Sequence, residues 1–365
     1  MTVAIIGANG FIGGRAVEML HLEGAVDIRP VVRSYASLAR LSRFELDWKV
    51  ADARDESALR RALEGCEYAI HAVMGDPRTI LGTLRSVYRA ADACGVRRLI
   101  YLSTAVVHGQ APTAGTDERS PLHTDQPLAY NNAKARAERR LLALRARGKM
   151  ELVMLRPCIV FGPRSRWIAS LARELLEGRA YFAGQSSGIC NTIYVDNVVQ
   201  AILCALRADA QSVDGEAFLI GDAEHVTWGQ FSAVVAKALG KDVDDIPCLP
   251  VPEFKRTRAE RLEALRTSRP VQALLPFIPR PAKRTVKAAL KALWAKTSDW
   301  ALPPEPGPVV TQEMALLHSC AWQLPMEKAR QRLGYEPKVS FAEGMRRSIG
   351  WLKFAGYPVI AAPRE

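Results

Sequence analysis

The sequence has no uninterrupted apolar run near the roughly 18 residues that a helical membrane span needs. Its seven cysteines stand apart, at 66, 94, 158, 190, 204, 248 and 320, with no C-x-x-C pair. That spacing offers neither a zinc framework nor a set of disulfides, so no metal site is expected, and a reducing, cytoplasmic setting fits. The apolar start, "MTVAIIGANGFIGG", lacks a basic lead-in and is broken early by glycines. It reads as a buried strand and a turn rather than a signal peptide. A general excess of positive charge is missing too. The formal net charge is +12, but residues 253–298 hold twelve Lys/Arg against three Glu, which leaves only +3 for the rest. Basicity confined to one segment argues against a nucleic-acid surface.

What remains is a chain of 365 residues, 48% hydrophobic, long enough for a large core and two lobes. Short apolar runs at 3–7, 29–33, 68–73, 98–103 and 151–156 alternate with helical patterns at 13–23, 55–63, 79–94 and 130–146. The runs are continuous rather than alternating, as in strands buried on both faces. This predicts an α/β fold of Rossmann type, a doubly wound parallel sheet with a smaller, mostly C-terminal substrate lobe. The expected division assigns 1–163 and 191–221 to the dinucleotide domain. Residues 164–190 and 222–365 form the other lobe, with 253–298 as a basic insertion. Seven prolines between 245 and 281 predict irregular chain there, and 282–295, "AKRTVKAALKALWA", has an amphipathic helical pattern. That helix could pack on the protein or make a peripheral contact with an anionic membrane.

The first strand runs into Gly7, Gly10 and Gly13, spaced G-x-x-G-x-x-G. Such a turn lets a pyrophosphate approach the backbone and the N-terminus of the following helix. The second strand ends in Val31-Val32-Arg33-Ser34, where an NAD site would place an acid for the ribose 2′-hydroxyl. Arg33 would attract a 2′-phosphate, with Ser34 as a further donor. NADP is therefore the preferred cofactor and NAD the alternative. Asp52 is placed to accept from the adenine amino group.

"AYNNAKAR" sets Tyr130 and Lys134 four residues apart on one helix face. A phenol titrates near pH 10 in water, and a neighbouring ammonium would bring it lower, making a proton carrier for a carbinol or carbonyl. Lys134 could also hold the nicotinamide ribose. Thr104 closes the run "RLIYLST" at the sheet's carboxyl edge and can bond the same substrate oxygen.

These residues, with "STAVVHG" (103–109), "LRPCIVFGP" (155–163), "YVDNVVQAI" (194–202) and the closing "ARQRLGYEPKVSFAEGMRRSIGWL", resemble the extended short-chain dehydrogenases/reductases. The likeness is to the NAD-dependent epimerase/dehydratase and 3β-hydroxysteroid dehydrogenase groups, over about 1–240 and 325–352. It implies Thr104, Tyr130 and Lys134 as the catalytic set. It implies that Asn9, Phe11, Ile12, Ala53, Ala72 and Val73 line the dinucleotide cleft, followed by Pro157, Ile159 and Val160. It implies Ala105, His108 and Arg164, beside Thr104, on the substrate side. A small-molecule substrate and a homodimer formed through the helices at 79–94 and 127–146 are implied as well.

Departures from the family pattern narrow the chemistry. Ala105 and Val106 stand where sugar 4,6-dehydratases carry an Asp-Glu pair, so elimination is not expected. Ile159 replaces the Asn that many epimerases hold near the sugar-nucleotide phosphates, and the Arg that usually precedes "YVDN" is absent. The family's usual range makes oxidation or epimerisation of a sugar nucleotide the first expectation. A hydroxysteroid, isoprenoid or other apolar alcohol is the alternative, and an NADP-sensing regulator without turnover is the third.

Overall fold

The computed structural model describes residues 1–24, 26–254 and 307–360. The basic segment and the expected helix at 282–295 lie outside the described residues for all but 253 and 254. Seven strands form one parallel sheet: β1 (Thr2–Ile6), β2 (Asp27–Val32), β3 (Lys49–Val50), β4 (Tyr68–His71), β5 (Arg98–Leu102), β6 (Glu151–Pro157) and β10 (Glu216–Ile220). Their order is β10-β6-β5-β4-β1-β2-β3. The chain thus winds one way from β1 through β2 to β3 and the other way from β4 outward. The reversal lies between β1 and β4, whose ends align with Ile6 beside His71. Ligands of open α/β sheets bind at the carboxyl ends beside such a switch point.

Alternation along the strands sends side chains into two cores. Val3 and Ile5 pack with Val17, Leu20, Val198 and Ile202 on the face covered by α1 (Phe11–Glu23) and α6 (Val195–Arg207). Ala4 and Ile6 face Leu59, Leu84 and Val87, under α2 (Glu56–Leu63), α3 (Pro77–Ala93) and α4 (Ala129–Arg145). Helix starts follow the local chemistry. Asp76 accepts from the Thr79 amide at 2.8 Å with Pro77 in the first turn, and Asp55 caps α2 through the amides of Ser57 and Ala58. Each such cap stabilises its helix by about 1 kcal/mol.

A second body of structure sits above the carboxyl edge. β7 (Ile159–Phe161) pairs in parallel with β9 (Thr192–Tyr194), and β8 (Phe182–Ala183) with β11 (Cys248–Leu249). Around them pack α5 (Arg166–Leu176), α8 (Trp228–Ala238), α9 (Gln312–His318) and α11 (Phe341–Phe354), sharing a core of Phe161, Ile168, Trp228, Phe231, Leu317 and Met345. Two short helices, α7 (Ala210–Val213) and α10 (Glu327–Leu333), flank β10. The run beginning at Thr192 is a short strand, β9, leading directly into α6. Among the described residues, no helix is long and apolar enough to cross a membrane, and no cluster of His, Cys, Asp or Glu could hold a metal.

Candidate active site

The turn after β1 is shaped for close approach. Gly7 has φ +91°, and a Cβ there would come within 2.9 Å of the Ala72 carbonyl carbon. A Cβ on Gly13 would overlap the Gly7 carbonyl oxygen. Gly10 caps α1 with no side-chain hydrogen bond, and among the described residues the first turn carries no acid. The amides of the first turn and the positive end of the helix dipole are thus left for an anion. Asn9, Phe11 and Ile12 border this cradle, and Ala72 and Val73 close its other side after β4. Gly7 and Gly13 thus let the backbone turn and pack this tightly, and the amides left open after Gly10 fit a dinucleotide pyrophosphate.

Arg33 and Ser34 follow β2 and are exposed, with the Ser34 hydroxyl 3.1 Å from that of Ser37. Asp52 is held by its own neighbour: Arg54 donates from its guanidinium to both carboxylate oxygens at 3.0 and 2.8 Å. Those bonds, the Arg54 amide and the more distant Arg33 bring its pKa down to about 2. Ala53 is buried beside it. Pro157 ends β6, and Ile159 and Val160 begin β7 above the cleft.

Lys134 is buried at 3% exposure. Its Nζ donates to the Leu102 carbonyl at 2.7 Å and to the Tyr101 hydroxyl at 3.3 Å, beside the Tyr101 ring. Two of its three N–H groups are engaged by these bonds. Burial lowers its pKa to about 8, with Glu138 pulling the other way. Glu138, one turn further along α4, is itself buried. It pairs with both ends of the Arg156 guanidinium at 3.1 and 2.6 Å and accepts from Ser103 Oγ.

The Tyr130 phenol departs from the expectation. Its pKa is raised to about 12, first by burial and then by Glu313, with Arg166 opposing. Lys134 does not bring it lower in the chain alone, because its ammonium is directed at Leu102 and Tyr101. Thr104 follows β5, and its Oγ1 accepts from the Val106 amide at 3.4 Å to open a short turn through Ala105 and His108.

Two residues expected on the substrate side are engaged elsewhere. His108 Nε2 lies 3.0 Å from an Arg156 nitrogen, so the ring is the acceptor, and burial with that cation brings its pKa down to about 4. Arg164, at φ +70°, turns toward Glu18 on α1 at 3.5 Å, where Arg15 and Arg43 also gather.

Sequence reading missed a cavity in the second body of structure. A cavity of about 510 Å³ opens between α5, α8 and α9. Trp167, Leu171, Trp228, Phe231, Ile246 and Met314 form its apolar wall, and Arg166 and Glu313 line it too. These last two are also the charges that act on the Tyr130 phenol. No sequence signal joins residues so far apart, although Trp167 and Leu171 do share a helix face.

Comparison with known proteins agrees with this architecture. The 3-beta hydroxysteroid dehydrogenase/isomerase family model matches residues 4–251. A 3beta-hydroxysteroid-dehydrogenase/decarboxylase of Arabidopsis thaliana is 27% identical, covering 94% of this chain and 78% of its own. A 2-alkyl-3-oxoalkanoate reductase of Shewanella oneidensis is 24% identical, over 94% and 84%. Among solved structures, a UDP-glucose 4-epimerase of Thermotoga maritima superposes with TM-score 0.66 at 21% identity, covering 97% of this chain and 99% of that one. A dTDP-glucose 4,6-dehydratase of Streptomyces venezuelae with NAD bound gives TM-score 0.69 at 19% identity, over 97% of each. With the family model spanning more than half its length, the chain belongs to the 3-beta hydroxysteroid dehydrogenase/isomerase family of extended short-chain dehydrogenases/reductases.

Proposed function

We propose that this protein interconverts a secondary alcohol and its ketone on an apolar substrate, with NADP preferred over NAD. The observation that carries the substrate class is the cavity wall of Trp167, Leu171, Trp228, Phe231, Ile246 and Met314. Burying apolar substrate surface there contributes roughly 25 cal/mol per Å² before ordering costs. Gly7, Gly10, Gly13 and the amides of Phe11 and Ile12 would hold the pyrophosphate, with Arg33 and Ser34 beside the adenosine ribose. A bound nicotinamide dinucleotide supplies hydride transfer at the carbinol carbon. Tyr130 gives its phenolic proton to the ketone oxygen in reduction and takes it back in oxidation. Thr104 donates a hydrogen bond to the same oxygen. Lys134 would hold the nicotinamide ribose, and its charge would favour the phenolate only once a bound dinucleotide draws the ammonium toward the cleft.

With Ala105 and Val106 after Thr104, no acid/base pair supports elimination, so dehydration is excluded from this reading. A sugar-nucleotide substrate is the second reading, favoured by Arg166 and Arg179 in the cavity wall. A panel of apolar secondary alcohols and UDP-sugars, followed by the absorbance of the reduced nicotinamide and by chromatography of the sugar products, which also detects epimerisation, separates the two. Turnover confined to the apolar alcohols supports the first reading. Turnover confined to UDP-sugars rejects it. Tyr130→Phe should abolish turnover and leave dinucleotide binding intact; retained turnover would remove the phenol from the chemistry.

A further inference from the structure

The carboxyl ends of β4 and β5 carry a buried polar group of side chains beside Lys134. His71, the last residue of β4, is 1% exposed. Its Nε2 lies 3.2 Å from Thr83 Oγ1, and that hydroxyl donates to the Ile80 carbonyl at 3.3 Å. The hydroxyl therefore accepts from the ring, so Nε2 carries the proton. Nδ1, without a partner among the described residues, is left as a bare lone pair. Burial, with the Lys134 charge, lowers the His71 pKa to about 3 and keeps the ring neutral. The ring stands edge-on to Tyr101, with centroids 5.4 Å apart. Its one N–H is spent on Thr83, so it does not compete for the Tyr101 oxygen. That oxygen accepts from Lys134 Nζ at 3.3 Å, with the ammonium 4.7 Å from the ring centroid. Tyr101 is 1% exposed, and burial, Glu138 and Tyr130 raise its pKa, so it stays a neutral phenol. The other Lys134 bond, to the Leu102 carbonyl, is shorter at 2.7 Å.

We propose that Tyr101 is a positioning residue that anchors the Lys134 ammonium against β5, and that Lys134 gives up the Tyr101 bond when it takes the nicotinamide ribose. This rests on the oxidoreductase reading above. An ammonium has three N–H groups at tetrahedral angles, and the two in use both point at β5. Moving Nζ toward the cleft by about 0.3 Å breaks the longer bond and spares the shorter. Tyr101 is therefore the exchangeable contact and Leu102 the fixed one. Dinucleotide affinity is lowered by the bond given up, and the phenol at residue 130 gains its cation only after the exchange.

Calorimetric titration of the full chain with NADP and with NAD reads this without turnover. Tyr101→Phe should bind both about 3- to 10-fold more tightly than wild type, a direction that loss of packing does not give. The gain stays below that of an ideal charge-assisted bond because the contact is 3.3 Å long. Both dinucleotides should tighten alike, since they share the nicotinamide ribose. In a Lys134→Met background the same substitution should change either affinity by less than about twofold, because no ammonium is left to release. Weaker or unchanged binding by folded Tyr101→Phe, or tightening that persists without Lys134, overturns the anchoring role while the oxidoreductase reading stands. A wild type that binds neither dinucleotide overturns the inference together with that reading. Where Tyr101→Phe fails to fold, crystal structures of the wild type with and without NADP decide. Lys134 Nζ should lie within hydrogen-bond distance of the Tyr101 hydroxyl only in the crystal without NADP, and a bond kept in both overturns the exchange.

Discussion

Replacing Lys134 by Met removes a charge that folding has taken out of water. The lysine is 3% exposed, and its pKa falls from 10.5 to about 8, chiefly by desolvation. A shift of that size corresponds to about 3 kcal/mol at 1.36 kcal/mol per unit. The sign follows from proton counting. Below pH 8 both folded and unfolded chains hold the proton, and the folded state bears the full penalty of a buried ammonium. Between pH 8 and 10.5 the folded chain has released the proton while the unfolded chain still binds it, so stability rises with pH. Tyr88 and Tyr194, pushed up to about 12, pull the other way above pH 10, but they are common to both proteins. The bonds lost to Leu102 and Tyr101 shift the variant by a constant. Urea unfolding of the dinucleotide-free proteins, followed by tryptophan fluorescence, gives the stability difference at each pH. Wild type minus Lys134→Met should climb by about 3 kcal/mol from pH 7 to 10.5. A difference that stays flat would refute the argument that Lys134 is a desolvated cation poised at the cleft.

Other substitutions test the surrounding parts. Gly13→Ala places a methyl group against the Gly7 carbonyl, so dinucleotide affinity should fall at least about tenfold, with a stability loss of about 1–3 kcal/mol by thermal unfolding. Unchanged affinity would mean that the turn is not the phosphate cradle. Arg33→Asp should move the ratio of NADP to NAD affinity toward NAD by about tenfold or more, and an unchanged ratio would remove Arg33 from cofactor choice. Glu138→Gln leaves the buried Arg156 guanidinium without its counter-charge, which costs about 3–5 kcal/mol of stability. The same change should lower the Lys134 pKa further, because Glu138 now supports its charge. A neutral effect in urea unfolding would place Glu138 outside that network.

Much of the fold was legible because its signals are local. Continuous apolar runs announced β1, β4, β5 and β6, since strands buried on both faces need no alternation. The glycine spacing located the turn into α1 through a backbone requirement that only Gly7 and Gly13 satisfy. The helix carrying Tyr130 and Lys134 was equally plain. Where each side chain points was not. Lys134 turns to Tyr101 and Leu102 because β5 lies beneath α4, and no spacing within α4 records that neighbour. Glu138, four residues beyond Lys134, was within reach of the same i, i+4 reasoning and was overlooked. Arg164 and Arg166 read alike in sequence. The left-handed backbone at Arg164 sends it to Glu18, whereas Arg166 lines the cavity. The cavity itself joins residues 167, 228 and 314 and exists only once α5, α8 and α9 have packed.

The most direct measurement is a crystal structure of the protein with NADP and an apolar ketone. The account predicts the pyrophosphate on the amides that follow Gly10, the nicotinamide above the carboxyl end of β5, and the ketone oxygen within hydrogen-bond distance of both the Tyr130 hydroxyl and Thr104 Oγ1. A dinucleotide bound elsewhere, or a ketone oxygen out of reach of the Tyr130 hydroxyl, would contradict it.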